Sequence, residues 1–284
     1  MARLGRRHKE QVHRLLRERK TEVKRSSVWD EIYSHFEVGK QSGRKLKFTV
    51  QERAELRNLA GKEWGFDPMQ EVPDGSRTEV AANSCDDKLA TERPSDQYLL
   101  IKSAQGPLPW AGVKHLAQGL SLRIPIDNLD IKSIDKILII ENQDSFDLWH
   151  RYQIPYSLQN VLTLYRGHDA LATGVKNLLK RLLPTTSIMV FPDLDPAGLQ
   201  IACTIPGATH LLVTEISSEL ERINSKEDYL KQHRQISYLD KADLQCWQGI
   251  WDTIKNSQIS IKQQHMLTFK APLYVVSRQE SVGE

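Results

Sequence analysis

The chain has 284 residues, 39% hydrophobic and 26% charged, with a formal net charge of +3, which fits a soluble globular protein of one large domain or two modest ones. No apolar run approaches a membrane span, and the basic start, Met1 to Arg7, lacks the apolar centre of a secretory leader. Cys85, Cys203 and Cys246 are odd in number and far apart, which argues against a disulfide framework or a zinc spacing and for a reducing compartment.

Charge is unevenly spread. Residues 1–50 hold fourteen Lys/Arg and six Asp/Glu, a balance of +8, so the remainder carries about −5. A basic arm on a mildly acidic body points to a polyanion met by the amino-terminal part. Charge alone favours the plainer reading of a solvated helix face.

Residues 8–24 read as a helix, with Val12, Leu15, Leu16 and Val23 near one stripe and Arg14, Arg17, Arg19 and Lys20 as the polar remainder. Residues 27–37 read as a second helix carrying Trp29, Ile32, Tyr33 and Phe36, capped by Ser26 or Ser27. Gly39 is the expected carboxyl-terminal cap, and residues 40–45 a polar loop. Thr49-Val50-Gln51-Glu52 is a capping box that starts a third helix ending near Gly61. Residues 1–66 thus form a basic helical region. It suits a winged-helix or similar DNA-binding module, with Arg14, Arg17, Lys20, Arg44 and Lys45 as candidate phosphate contacts. An all-helical docking domain for a protein partner is the alternative.

Residues 67–97 read as a linker, since Pro68, Pro73, Gly75, Asn83 and Pro94 interrupt every periodicity. Residues 98–284 form the remaining domain. Short strands at 97–101 and about 120–126 precede a βαβαβαβ rhythm: strands 136–140, 160–165, 187–191 and 210–213, with helices 145–152, 171–183 and 196–204 between them. The early strands are expected at an antiparallel edge. The tail, 215–284, reads as helical and polar, with Trp247, Trp251 and Ile254 along one face.

The chemistry concentrates at two strand ends. Ile137 to Ile140 ends in Glu141-Asn142, and Ile188 to Phe191 leads through Pro192 into Asp193-Leu194-Asp195-Pro196-Ala197-Gly198. Ligands of open parallel sheets bind at the carboxyl ends of strands. Carboxylates packed there repel, so a cluster of Glu141, Asp193 and Asp195 implies a divalent cation or a raised pKa. Oxygen-only ligands point to Mg²⁺ or Mn²⁺ rather than zinc. Carboxylate-bound metal ions can activate a nucleophile and stabilise a charged transition state. Asp193 is the surer ligand, and Asp195 binds directly or through water. Glu141 completes the set or acts as general acid/base. Each acid taken alone is equally an ordinary loop residue, and Asp195 is well placed to cap the helix at Pro196. Asn142 is a candidate to orient Glu141 or to bind water on the metal. His168 and Asp169 follow Gly167 on the same side, as contacts to the phosphate, a proton donor, or merely a turn and helix cap. Lys176, Lys180 and Arg181 read as a solvated face.

A Glu at one strand end and an Asp-x-Asp at a later one resembles the Toprim domain of topoisomerases, primases and several nucleases. Gly167-His168-Asp169-Ala170-Leu171-Ala172-Thr173 followed by Asp193 to Ile201 resembles the topoisomerase VI A-subunit branch, which includes the nuclease subunit of Wadjet-type condensin defence systems (JetD). Glu141-Asn142-Gln143-Asp144-Ser145-Phe146 is similar to the Glu-Asn-x-x-Ser-Phe segment of the JetD-like group. The resemblance covers residues 137–213 well and the rest loosely. It implies an α/β Toprim-like fold, a mostly parallel sheet with helices on both faces. It also implies a cytoplasmic, nucleoid-associated hydrolase that cleaves double-stranded DNA with Mg²⁺ or Mn²⁺, using Glu141, Asp193 and Asp195. Its partner would be a condensin-like, SMC-type complex in plasmid defence, with a homodimer left open. One feature departs from the topoisomerase branch, whose tyrosine lies in an Arg-Asp-x-Tyr-Tyr-like motif. Here Tyr33 is followed by Ser34, and no adjacent tyrosines occur anywhere. That favours hydrolysis over covalent strand passage. A non-catalytic DNA-binding or scaffold subunit and a topoisomerase VI A-like subunit using Tyr33 remain the alternatives.

Overall fold

The computed structural model describes residues 4–72, 75, 78–80, 94–168 and 171–279. The chain divides into two units, Met1–Pro94 and Ser95–Glu284, and each has its own hydrophobic core. Most of the predicted linker, with Cys85, lies outside the described residues.

In the first unit, helix α1 (Arg6–Arg17) buries Val12, Leu15 and Leu16. It stops well short of residue 24. Arg19 takes a left-handed backbone, φ 50°, and Glu22–Lys24 becomes strand β1. The stripe fails there because Val23 is paired opposite Leu46 rather than stacked on a helix. Helix α2 (Ser27–Phe36) is capped by Ser26, whose Oγ accepts from the Trp29 amide at 3.3 Å. Glu37, in a left-handed conformation, ends it in place of Gly39. The predicted polar loop is a hairpin of β2 (Lys40–Ser42) and β3 (Lys45–Lys47), which turns at Gly43 with φ 58°. These strands form an antiparallel sheet in the order β1-β3-β2. Helix α3 (Val50–Trp64) begins with the expected capping box and runs a turn past Gly61, to a left-handed Gly65. Trp29, Ile32, Leu46, Phe48, Leu56 and Trp64 are the heart of this core.

The second unit is built on a seven-stranded sheet in the order β10-β9-β8-β6-β7-β4-β5. Its strands are β4 (Tyr98–Lys102), β5 (Leu122–Pro125), β6 (Lys136–Ile140), β7 (Leu162–Tyr165), β8 (Ser187–Phe191), β9 (Ala208–Thr214) and β10 (Leu273–Ser277). The four central strands β7, β6, β8 and β9 are parallel. Pairings at both edges are antiparallel, so the expected mostly parallel sheet is in fact mixed. Strand β10 is the reason on one side: Leu273-Tyr274-Val275-Val276, read as part of a helical tail, pairs with β9 along its length. Tyrosine and β-branched residues favour that pleated surface. The other edge, β4 and β5, is antiparallel as expected. Ile137 to Ile140, Val190 and Phe191 are fully buried, as central parallel strands covered on both faces must be.

Two connections decide where a ligand can sit. From β6 the chain passes through the helix Gln143–Asp147 to β7 on one side. From β8 it passes through the helix Pro196–Thr204 to β9 on the other. Strands β6 and β8 are neighbours, so their outgoing chains diverge and open a crevice at their carboxyl ends.

No helix among the described residues is long and apolar enough to cross a membrane. Cys203 and Cys246 are free thiols. Because the larger core draws on residues beyond Pro94 alone, a fragment starting at Ser95 is expected to fold by itself. Circular dichroism should show one cooperative thermal transition for it; a non-cooperative melt would contradict the separation of cores.

Candidate functional site

Strands β6 and β8 end in register, Ile140 beside Phe191, and bring Glu141 and Asp193 out at the crevice. The Glu141 amide donates to the Phe191 carbonyl at 3.2 Å, and the Asp193 amide donates to Glu141 Oε2 at 3.3 Å. Glu141, Asn142, Asp144 and Asp193 line a cavity of 350 Å³, with Tyr165, Arg166 and His168 entering from the end of β7. Burial, then repulsion from Asp193, pushes the Glu141 carboxyl up to about 7. Burial also lifts Asp193 above its ordinary range, against the pull of the Lys262 ammonium.

Asp195 stands apart from that cavity. It is 1% exposed, and both oxygens are engaged. Its Oδ1 accepts from the Gly198 amide at 2.8 Å, the predicted cap of the helix Pro196–Thr204. Its Oδ2 accepts from Gln232 Nε2 at 3.0 Å, Ser260 Oγ at 3.3 Å and Lys262 Nζ at 2.6 Å. The same ammonium lies 3.5 Å from Asp193 Oδ2. Burial works to strip Lys262 of its proton, but the two aspartates outweigh it and hold its pKa above the usual lysine range.

The aspartate loop is held by the tail. Leu194 and Ile261 exchange backbone hydrogen bonds of 2.9 and 3.1 Å. The Gln263 amide donates to Asp193 Oδ1 at 2.8 Å, and its fully buried side chain donates from Nε2 to the Phe191 carbonyl at 2.6 Å. Gly198 closes the loop from the other side. A Cβ there would lie 2.2 Å from the Asp193 carbonyl oxygen, so the helix can approach Asp193 only with glycine.

Asn142 accepts from the Ser145 amide at 3.2 Å and so caps the helix Gln143–Asp147. His168 is exposed, its Nδ1 3.3 Å from the Tyr165 hydroxyl, and its carbonyl meets Arg166 at 3.4 Å. Asp169 lies outside the described residues. Lys176, Lys180 and Arg181 are exposed, as expected of a solvated face.

The candidate DNA contacts occupy two places in the first unit. Arg14, Arg17 and Lys20 lie on α1 and its following turn, and Arg44 and Lys45 on the hairpin, all exposed. Arg17 pairs with Glu71, Lys20 with Glu18 and Lys45 with Glu22. Such exposed pairs are weak.

Among the described residues, no three His, Cys, Asp or Glu side chains converge as a ready metal site. The donors present are still those a hard cation takes. Glu141 and Asp193 are two adjacent carboxylates raised by burial, and Asn142 and Asp144 line the same cavity. That chemistry fits Mg²⁺ or Mn²⁺. Sequence reasoning missed Lys262, Gln263, Ser260, Gln232, Arg166 and Tyr165. One signal was present: Ile259-Ser260-Ile261-Lys262 alternates with a period of two inside a tail read as helical.

Two outcomes follow for the metal-free protein. Between pH 4.5, the ordinary glutamate value, and about 7, the folded state keeps the Glu141 proton that the unfolded chain releases. Stability therefore falls as pH rises through that window. Glu141→Gln should remove this slope and be more stable than wild type at pH 8 by about 3 kcal/mol, read from melting curves; equal curves would contradict the raised pKa. Gly198→Ala should cost roughly 1–3 kcal/mol by overpacking, read from urea unfolding; an unperturbed variant would show that the Asp193 loop yields freely.

No curated protein matches the chain. Residues 96–275, reaching from just before β4 into β10, match a family model. That is more than half of the sequence, and the chain belongs to the family described as domain of unknown function (DUF7281).

Proposed function

We propose that the protein is a divalent-metal-dependent DNA endonuclease that hydrolyses phosphodiester bonds. The observation that carries the reading is the pair Glu141 and Asp193, raised in pKa side by side at the crevice between β6 and β8. Such a pair is costly unless a cation or a shared proton offsets it. Glu141 and Asp193 would hold Mg²⁺ or Mn²⁺, which when bound supplies Lewis acidity and an activated water.

The chain's own residues support the rest. Without metal Glu141 has a pKa of about 7, and a bound cation would hold it ionised as a ligand. Arg166 lines the same cavity and acts on Glu141 electrostatically, so it is placed to meet a phosphate oxygen. His168, with Nδ1 engaged by Tyr165, keeps Nε2 for a phosphate or a leaving oxygen. Asp195 is a positioning residue, since its hydrogen bonds are spent on the helix and on Lys262. The resemblance to Toprim nuclease subunits favours double-stranded DNA as substrate and an SMC-type complex as partner. The helix-and-hairpin first unit, with Arg14, Arg17, Lys20, Arg44 and Lys45, would bind the duplex in the manner of a winged helix.

One observation favours a second reading, a non-catalytic DNA-binding or scaffold subunit. The Lys262 ammonium already neutralises part of the acidic loop. The strand-passage reading gains no such support, because Tyr33 is half-buried against the core of the first unit.

Purified protein incubated with supercoiled and linear plasmid DNA, with Mg²⁺, Mn²⁺ or EDTA, separates the readings. We expect metal-dependent nicking or linearisation, abolished in Asp193→Ala and reduced about 10²–10⁴-fold in Glu141→Gln. DNA binding without cleavage in every condition, the SMC-type complex included, would overturn the nuclease in favour of the scaffold.

A further inference from the structure

We propose that Lys262 is the resident counter-cation of the Asp193–Asp195 loop and sets the affinity with which a divalent ion binds there. The inference rests on the metal reading above and adds to it a competitor built into the chain.

The two arms of the ammonium are unequal. It lies 2.6 Å from Asp195 Oδ2 and 3.5 Å from Asp193 Oδ2. Asp195 is buried and has three further donors, so that arm is structural: a buried charge left unpaired is strongly destabilising. Asp193 is differently placed. Its Oδ1 is held by the Gln263 amide at 2.8 Å, whereas among the described residues its Oδ2 has only the longer contact to Lys262. Asp193 Oδ2 is therefore the oxygen for which the ammonium and an incoming ion compete.

Lys262 is no free-swinging surface lysine. The residue before it is bridged to Leu194, and the residue after it is bonded to Asp193 and Phe191. Its own amide donates to His265 Nδ1 at 3.2 Å. The backbone thus delivers a positive charge to a fixed point beside Asp193. A cation at Asp193 feels that charge at close range, and in a half-buried site the repulsion is much larger than in bulk water. The lysine lets the loop hold its shape without metal, at the cost of weaker metal binding.

The test uses the full-length, metal-free protein titrated with Mn²⁺, by calorimetry and by loss of the free Mn²⁺ electron paramagnetic resonance signal. Lys262→Gln removes the charge and keeps a donor for Asp195. It should bind Mn²⁺ at least about tenfold tighter than wild type. Lys262→Arg keeps the charge and should bind like wild type. Adding Asp193→Asn to Lys262→Gln should erase the gain. Equal or weaker binding by Lys262→Gln, with wild-type circular dichroism, overturns this inference and leaves the metal reading standing. Absence of Mn²⁺ binding in wild type and both single variants overturns the two together. A second measurement needs no variant: the ¹⁵N ammonium resonance of Lys262 in wild type should shift on adding Mg²⁺, and an unmoved resonance contradicts the competition.

Discussion

Negative charge held out of water at two neighbouring strand ends is the constraint on which the rest of this structure depends. Glu141 and Asp193 leave β6 and β8 side by side, and Asp195 is buried two residues further on. Each carboxylate would be better solvated elsewhere. The surroundings answer in three ways. Asp195 is fully bonded by the Gly198 amide, Gln232, Ser260 and Lys262. Asp193 is fixed by Gln263 and shares Lys262. Glu141 is left with a pKa of about 7 and the Asp193 amide as its donor. The charge left least compensated faces the cavity, where Arg166 and His168 also lie.

The sheet creates this arrangement and the tail maintains it. Diverging connections from β6 and β8 open the crevice, and Gly198 lets the next helix close against Asp193. Residues 260–263 return from far along the chain to bridge Leu194 and bond both aspartates. Trp149, tilted, and Tyr152, edge-on, pack against Phe191, with centroids 5.7 and 5.3 Å away. The Tyr152 hydroxyl joins Ser145 to the Gln263 carbonyl, at 2.9 and 3.0 Å. The helix after β6 and the tail segment therefore share one polar support. Asp193 is held from both sides of the crevice.

Much of this was legible in the sequence because it is local. Runs such as Ile137 to Ile140 announce a buried strand, and Thr49 with Glu52 fixes a helix start. Asp195 before Pro196 announces a cap. The strands β6 and β8, the helix Pro196–Thr204 and the placement of Glu141 and Asp193 followed from such signals. What was illegible is long-range. That Lys262 reaches a carboxylate 67 residues away, or that Leu273 to Ser277 joins β9, depends on tertiary pairing that no local period encodes. Asp195 shows the limit most sharply. Its bond to the Gly198 amide is local, but Gln232, Ser260 and Lys262, which enclose its other oxygen, are distant in the chain.

Whether the Glu141–Asp193 pair holds a divalent ion decides between a nuclease and a scaffold. Anomalous diffraction from crystals of the protein soaked in Mn²⁺ answers this most directly. A manganese peak about 2.0–2.3 Å from carboxylate oxygens of both Glu141 and Asp193 is the predicted result. A well-ordered site with no peak there, or a peak bound only by other residues, would contradict it.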